Sequence, residues 1–406
     1  MILPLKGSRD LIRDLNHNLI LTLLRQHAPI PQQALARLSG LSPATVSGII
    51  AALSSADWIE EVGPGEASGK RGGRRPTLLR LNAGAGLIVG VKVMEDLIAT
   101  VITDLDATVL HTGTAPLEPH VLRQETSDPM QVIMAMVKAI EAILLDSGVD
   151  RRRIIGVGVG ISGLIDAKEG ISRVSRIFPG QRDVHLGKLL SDHLGFPTFI
   201  ENDVRARTIA EHVFGAGQSM QHFVLVAVGR GIGAGIVVNG QIYHGSTYGA
   251  GELGHMCMDE NGPLCECGNR GCLEAFTSAP ALVQQAIERE ILPQRGQSAT
   301  IEDVILAADQ GDLSARRLFA EAGHLIGMGI ANMVNILSPE CVFVVGEGTR
   351  AGAWLLDSLQ ETMHSYLFPG LAPQLVVEVE TISEHTWARG AACVVLNTLF
   401  KSPITL

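Results

Sequence analysis

The sequence predicts a two-part chain, in which a small winged helix-turn-helix precedes a larger α/β body. Two observations lead to this prediction. Residues 1–82 contain three short helical patterns followed by two strand patterns. From about residue 83 onward, apolar strand patterns alternate with helical ones, which is typical of α/β proteins.

Three helices are predicted in the first module. Leucines recur near helical spacing over residues 9–27, and a second short helical pattern covers residues 31–38. The third helix is expected to begin with Ser42 as its N-cap and Pro43 in its first turn, and to run to Leu53. A tight glycine turn separates the second helix from the third, as in a helix-turn-helix.

Two strands complete the module. Residues 58–62 and 77–81 read as a β-hairpin, and the segment between them is rich in glycine and basic near its end. This arrangement is typical of the wing of a winged helix. We therefore expect a DNA-binding domain that spans residues 1–82.

The third helix is expected to enter the major groove of DNA. Its candidate contact residues carry small side chains, which favour phosphate contacts over strong base readout; they are Ser42, Pro43, Thr45 and Ser47. Basic residues of the wing are the stronger candidates for affinity, with an A·T-rich minor groove as target; they are Arg71, Arg74 and Arg75. The alternative is a solvated interdomain loop.

The body is predicted to contain several strands and helices in alternation. The strand candidates are residues 87–93, 98–103, 154–161, 198–201, 223–228, 235–238 and 341–345. The helix candidates are residues 129–145, 203–214, 300–308, 314–337 and 351–367. Gly86–Val109 and Phe223–Tyr243 each read as a glycine-containing hairpin, which suggests a distant duplication.

Composition favours a globular protein. The chain has 406 residues, of which 46% are hydrophobic and 18% charged. It shows no signal-peptide pattern and no apolar run of about 20 residues, so we expect a cytoplasmic protein without membrane insertion. Residues 1–82 carry 10 Lys and Arg against 6 Asp and Glu, although the whole chain has a net charge of −10. A basic module on an acidic body suggests a polyanionic partner, with ordinary solvated surface as the alternative.

One histidine and three cysteines form the most informative motif. His255, Cys265, Cys267 and Cys272 are one set of donors that zinc favours for a structural site. The alternative is that these cysteines are simply buried. The other three cysteines, Cys257, Cys341 and Cys393, are interpreted as reduced core residues.

Polar residues near this motif are candidates for ligand binding. Glu252 and Glu274 flank the cysteine run, and carboxylates together with an imidazole suit the hydroxyls of a sugar. The Asn202-Asp203 pair follows a short strand and precedes a helix, where a side chain can meet a ligand at the edge of a sheet. A helix cap is the alternative for this pair.

Together these residues resemble the ROK family of bacterial repressors, open reading frames and sugar kinases. The motifs behind the resemblance are Glu252-x-Gly-His255, Cys265-x-Cys267-Gly-x-x-Gly-Cys272-x-Glu274, Asn202-Asp203 and the glycine run Gly231–Gly235. The winged helix resembles the repressor branch, which includes regulators of glucose, N-acetylglucosamine and xylose use. The resemblance implies an actin-like, two-lobed sugar-kinase fold.

The resemblance also implies two lobes in the body, with a sugar site between them. The first lobe would comprise residues 83–200 and about 385–406, and the second would comprise residues 201–384 with a zinc loop. A monosaccharide would lie between them, held by Asn202, Asp203, Glu252, His255 and Glu274, with one structural zinc ion per chain. Asp203 matches the base of the family's kinases.

The ATP-binding motifs of the family's kinases are not matched in this chain. Family kinases carry Asp and then Gly-Gly-Thr in the first hairpin, whereas this chain has Lys92-Val-Met-Glu95-Asp96. Arg230 stands where those kinases have a small hydroxyl residue in the second hairpin. The sequence therefore predicts a binding protein in which Asp203 is not catalytic, and an ATP-dependent sugar kinase with an added DNA-binding domain is the alternative.

The resulting hypothesis is a sugar-responsive transcriptional repressor. It would bind operator DNA as a homodimer or as a dimer of dimers and take a monosaccharide as its effector. A sugar-transporter protein is a further candidate partner.

Overall fold

The computed structural model describes residues 9–64, 76–117, 128–293, 299–371 and 375–400. Three predicted DNA-contacting residues of the wing lie outside the described residues: Arg71, Arg74 and Arg75.

The N-terminal module contains the predicted helices and wing strands. Its elements are α1 (Arg9–His27), β1 (Ile30–Pro31), α2 (Gln32–Ser39), α3 (Pro43–Ser55), β2 (Ile59–Pro64) and β3 (Thr77–Leu81). The strands form one sheet in the order β1-β3-β2. Ser42 is the N-cap of α3, because its hydroxyl accepts a hydrogen bond of 3.1 Å from the Thr45 amide.

The first sheet of the body has five strands. They are β4 (Leu87–Val93), β5 (Leu97–Thr103), β6 (Val109–Pro116), β7 (Ile154–Ile161) and β11 (Thr198–Asn202), in the order β11-β7-β4-β5-β6. The first three strands form an antiparallel meander, and the other two add parallel to it. A small antiparallel sheet of β8 (Leu164–Asp166), β9 (Ile171–Val174) and β10 (Arg182–Val184) follows β7 in the chain.

The second sheet repeats this topology. Its strands are β12 (Phe223–Val228), β13 (Ile232–Val238), β14 (Gln241–Ile242), β15 (Cys341–Val345) and β16 (Val376–Glu380), in the order β14-β13-β12-β15-β16. Again a meander opens the sheet and two parallel strands extend it. The two sheets therefore share one strand order, and each opens with one of the predicted glycine-containing hairpins.

Helices cover both sheets. They are α4 (Pro129–Ser147), α5 (Leu186–Leu194), α6 (Asp203–Phe214), α7 (Leu273–Thr277), α8 (Ala279–Glu288), α9 (Ile301–Asp309), α10 (Leu313–Leu337), α11 (Ala353–Tyr366) and α12 (Glu384–Leu399). α4 and α5 pack on the first sheet, whereas α7 to α11 pack on the second. Four of these helices were not predicted from the sequence, namely α5, α7, α8 and α12.

The last helix crosses the first sheet at very short range. α12 packs against β4 and β7 because glycine occupies the crossing points. A Cβ atom at Gly158 would lie 1.9 Å from the carbonyl oxygen of Ala391, and one at Gly90 would lie 2.1 Å from that of Ala388. These positions admit no side chain without movement of the helix backbone.

The winged module shares a core with the body. Ile20 and Leu24 of α1 belong to the same buried cluster as Ala392 and Leu396 of α12. The Thr22 hydroxyl also donates a 2.6 Å hydrogen bond to the carbonyl oxygen of Phe400. The DNA-binding module is therefore attached by packing as well as by the chain connection at residue 82.

In the part of the chain that the structure describes, no helix combines the length and the apolar character needed to span a membrane.

The close crossing of α12 gives a stability prediction. Gly158→Ala should lower the free energy of unfolding by about 3 kcal/mol, because the added methyl group overpacks a backbone contact. The matched control is Gly48→Ala in α3, where no atom lies within 4 Å of the new Cβ. That change should instead add about 0.5–1 kcal/mol. Urea unfolding of the full chain measures both, and equal stability of the two variants would contradict the packing argument.

Candidate functional site

The predicted metal ligands converge on one point. His255, Cys265, Cys267 and Cys272 place their donor atoms within 4.8 Å of one another. The sulfur atoms of Cys267 and Cys272 are 3.7 Å apart, as are the Cys265 sulfur and His255 Nδ1. Two thiolates on a tetrahedral zinc ion, each at about 2.3 Å, would be separated by about 3.8 Å. The cluster therefore has the dimensions of a metal site.

Local backbone geometry brings these ligands together. Gly271 adopts φ 69°, and a Cβ atom there would lie 1.6 Å from the carbonyl oxygen of Asp259. Two isolated antiparallel β-bridges close the loop through backbone pairing. One joins Cys257 to Cys272, and the other joins Leu264 to Arg270. Glycine is thus required where the two arms of the loop meet.

The buried thiol of Cys272 needs a nearby cation in order to ionise at neutral pH. Burial and the neighbouring thiols of Cys267 and Cys265 raise the pKa of Cys272 to about 12. A metal ion would reverse that effect, because coordination favours the thiolate. Cys257 lies beside the cluster but is exposed, so its prediction as a core residue was wrong; Cys341 and Cys393 are buried as predicted.

Asn202 serves as a helix cap. Its Oδ1 accepts hydrogen bonds from the amides of Val204 (3.0 Å) and Arg205 (3.1 Å), and its Nδ2 donates to the carbonyl oxygen of Gly163 at 3.1 Å. The capping alternative therefore holds for this residue. The side-chain amide has a second hydrogen on Nδ2, which can donate a hydrogen bond to a ligand.

Asp203 follows at the first position of α6 and is paired with Lys92. The ammonium group of Lys92 donates a hydrogen bond to Asp203 Oδ2, and Lys92 is only 8% exposed. Burial alone would raise the pKa of Asp203, but Lys92, the amide of Val204 and the charge of Arg176 hold it below its ordinary value. Asp203 is therefore an ionised hydrogen-bond acceptor at neutral pH.

The glutamates of the metal loop occupy different environments. Glu274 is buried, and its Oε2 accepts a 2.8 Å hydrogen bond from the amide of Ile232. Glu252 is partly exposed and lies 3.8 Å from Nε2 of His255. Desolvation raises the pKa of Glu252, and the charges of Glu274 and Asp203 raise it further. The carboxylates predicted to bind one ligand are thus close enough to repel one another.

His255 connects the metal cluster with this polar group. Its Nδ1 faces the sulfur of Cys265, whereas its Nε2 faces the carboxylate of Glu252. One ring nitrogen is therefore available for a metal while the other remains on the side of the carboxylates.

The sequence analysis missed several charged residues of the site. Lys92, Glu201 and Arg205 are buried beside or beneath the Asn202-Asp203 pair, and Arg176 contributes its charge to Asp203. Glu201 directly precedes Asn202, which was the available signal. Lys92 is 111 residues from Asp203, and the carbonyl partners of Arg205 are 40 and 43 residues from it, so spacing could not identify these contacts.

The predicted DNA-contacting residues of α3 lie on one exposed face. Side chains on the opposite face, including Val46, Ile49 and Ile50, are buried in the module. The exposed residues are Ser42, Pro43, Thr45 and Ser47.

Comparison with known proteins agrees with this division of the chain. Residues 89–398 match the family model described as the ROK family, and residues 15–61 match that of the MarR family. The chain belongs to the ROK family.

Characterised ROK relatives match nearly the full chain. The xylose repressor of Bacillus spizizenii is 28% identical over 391 residues, which is 96% of this chain and 97% of the relative. The DNA-binding transcriptional dual regulator NagC of Escherichia coli is 30% identical over 402 residues, covering 97% of this chain and 95% of the relative. These similarities extend through the winged module.

Solved structures include both regulators and kinases. A ROK family transcriptional regulator described as a homologue of E. coli MLC has a TM-score of 0.81 at 26% identity, covering 96% of this chain and 97% of that one. A ROK family glucokinase from Streptomyces griseus, in complex with glucose and AMPPNP, has a TM-score of 0.66 at 25% identity. That match covers 76% of this chain and 99% of the kinase.

The Lys92–Asp203 pair gives a second prediction. Lys92→Met should destabilise the protein by about 3–5 kcal/mol at neutral pH, because it leaves a buried carboxylate without its cation. The double variant Lys92→Met/Asp203→Asn should recover much of that loss, as measured by urea unfolding. Because the folded pKa of Asp203 is depressed, its stabilising contribution is present above about pH 4 and is lost as pH falls through the lower folded value. A loss that stayed constant down to pH 2 would contradict the pairing.

Proposed function

We propose that this ROK protein is a sugar-responsive transcriptional repressor. The main support is that a winged helix-turn-helix and a sugar-kinase fold occur in one chain, and that repressors match it over both parts. A protein that only phosphorylated sugars would not need the exposed face of α3. Operator binding would place its action in the cytoplasm, where the DNA is.

The effector in this proposal is a monosaccharide bound in the cleft between two lobes. We assign residues 83–200 and about 385–406 to the first lobe and residues 201–384 to the second. The proposed ligand groups are the second Nδ2 hydrogen of Asn202, the carboxylates of Asp203, Glu252 and Glu274, and Nε2 of His255. Closely spaced acceptors beside an imidazole suit the adjacent hydroxyls of a sugar ring.

The glycine-rich hairpin argues against nucleotide binding. Backbone amides of such loops bind phosphate only when they are free to donate. Here the amide of Arg230 donates to Glu347 at 2.7 Å, and the amide of Ile232 donates to Glu274 at 2.8 Å. The chain's own carboxylates thus take the hydrogen bonds that a phosphate would need.

Side chains strengthen this argument. The guanidinium group of Arg230 contacts Glu95 of the first hairpin at 2.7 Å and Glu266 of the metal loop at 3.1 Å. Lys92 neutralises Asp203, which matches the kinase base. We infer that Asp203 binds sugar and that no phosphoryl donor is held beside it.

Zinc is the metal we propose for the loop. Three thiolates and one imidazole are a donor set that zinc favours, and four protein ligands leave no open position for catalysis. The ion would hold the loop that carries Glu252, His255 and Glu274. We propose a structural role for one zinc ion per chain.

The DNA-binding unit is proposed to be a homodimer. Two winged modules related by a two-fold axis would match the half-sites of a pseudo-palindromic operator. The exposed residues Ser42, Pro43, Thr45 and Ser47 would contact DNA, as would Arg71, Arg74 and Arg75.

Operator binding that responds to a sugar tests the proposed function. A selection from random duplexes should yield a preferred site, and fluorescence anisotropy should then give its Kd for the zinc-loaded protein. One sugar among D-xylose, D-glucose and N-acetylglucosamine should change that Kd about 5- to 150-fold, as expected for a coupling of about 1–3 kcal/mol. Asp203→Asn should abolish the response but leave the Kd for DNA without sugar unchanged.

The kinase alternative makes the opposite prediction. A coupled ATPase assay with the same sugars should show no turnover above background. Robust turnover that disappears in Asp203→Asn, with no selected DNA site, would overturn the proposal.

Metal loading gives a further prediction. Cys267→Ser should reduce bound zinc from one ion per chain to a small fraction of that amount, because a hydroxyl is a poor zinc ligand. The same variant should lose the sugar-dependent change in DNA affinity. Cys257→Ser is the matched control, since Cys257 lies beside the cluster and contributes no donor to it. Elemental analysis measures the zinc, and full zinc content in Cys267→Ser would contradict the site.

A further inference from the structure

Arg205 is buried beneath the proposed sugar site and joins three segments of the chain. Among the residues that the structure describes, it is the largest fully buried side chain, and it is 1% exposed. Its Nε donates to Glu201 Oε1 at 2.8 Å, its Nη1 to the carbonyl oxygen of Tyr248 at 2.8 Å, and its Nη2 to that of Ile165 at 3.1 Å. One guanidinium group thus connects β11, β8 and the loop over residues 243–251.

Glu201 extends this network towards the site. Its Oε1 also accepts a 2.8 Å hydrogen bond from the amide of Asn202, and its Oε2 accepts one of 2.9 Å from Nε2 of His244. Burial would raise the pKa of Glu201, but His244 and Arg205 hold it below the ordinary value. The network is therefore a charged pair, with additional hydrogen bonds that reach the strand end and the loop.

The loop held by Arg205 leads directly to Glu252. His244 stands at its start, and Tyr248 occupies its middle with φ 61°, a conformation that needs support in a residue with a side chain. The amide of Ala250 donates to the carbonyl oxygen of His244 at 3.2 Å. Arg205 also exerts its charge on Glu252. The guanidinium group of Arg205 therefore links the residue that precedes Asn202 to the loop that precedes Glu252.

We propose that Arg205 is a positioning residue, which holds the loop bearing Glu252 in register with the Asn202-Asp203 pair. This inference rests on the proposed sugar site for its functional consequence. Its structural consequence, an ordered loop, can be measured without any sugar.

The chain offers a matched control two residues further along the same helix. Arg207 is 3% exposed, and it is paired with Glu211 at 2.8 Å and with Glu380. It has the same side chain, comparable burial and two carboxylate partners, but it makes no hydrogen bond to the loop. A general effect of losing a buried arginine should therefore appear equally in both variants.

The experiment compares Arg205→Met with Arg207→Met in the zinc-loaded full chain. Hydrogen exchange should accelerate at least tenfold across residues 244–252 in Arg205→Met, including the amide of Ala250, and less than twofold in Arg207→Met. Isothermal titration with D-xylose, D-glucose and N-acetylglucosamine should show at least a tenfold loss of sugar affinity only in Arg205→Met. Equal exchange in the two variants would overturn the inference.

A milder pair of variants covers the case in which Arg205→Met does not fold. His244→Ala removes one hydrogen bond to Glu201, whereas His244→Gln keeps a donor near the same position. Faster loop exchange in His244→Ala that is restored in His244→Gln supports the network, and unchanged exchange in His244→Ala refutes it. If wild-type protein binds none of the three sugars, the proposed effector site fails, while the exchange measurements still decide the role of Arg205.

Discussion

A carboxylate in a protein interior must be paired with cations or with hydrogen-bond donors, because its charge is poorly solvated there. This constraint shapes the site at the C-terminal end of β11. Glu201 is paired with Arg205 and His244, and Asp203 is paired with Lys92. Once these partners are in place, the strand end, the first turn of α6 and the following loops have little freedom to rearrange. These ion pairs thus preorganise the polar groups that we propose to bind sugar.

The same constraint underlies our proposal that this chain binds no nucleotide. Amides of the glycine-rich hairpin donate hydrogen bonds to Glu347 and Glu274. The guanidinium group of Arg230 contacts the carboxylates of Glu95 in the first hairpin and Glu266 in the metal loop. Each of these contacts satisfies a group that a nucleotide would otherwise have to satisfy. In the proposed repressor, a sugar-kinase fold would lose phosphoryl transfer and still keep a site for the sugar.

The sequence predicted the elements whose signal is local. The limits of α1, β3, β4, β7, β12, β15 and α6 were predicted correctly, because caps, glycines and apolar runs mark them. The metal cluster was also predicted, since its four ligands lie within one short loop. The partners of Lys92 and Arg230 were not predicted, because each pair joins residues that are far apart in the chain. The same holds for the carbonyl groups of Ile165 and Tyr248 that accept hydrogen bonds from Arg205. α12 was missed as well: its glycine and alanine face, which allows the close crossing, weakens the apolar periodicity that identifies a helix.

The shared core of α1 and α12 has a consequence for how such proteins diversify. The winged module ends near residue 82 of the sequence. Its hydrophobic core nevertheless includes residues of α12 and the position that follows it, because Leu396 and Phe400 belong to the same buried cluster as Ile20 and Leu24. Recombination that exchanged only the winged module would leave α1 poorly packed against α12. Exchange of the winged module within this architecture therefore requires compensating changes in α12, so α1 and α12 are expected to evolve together.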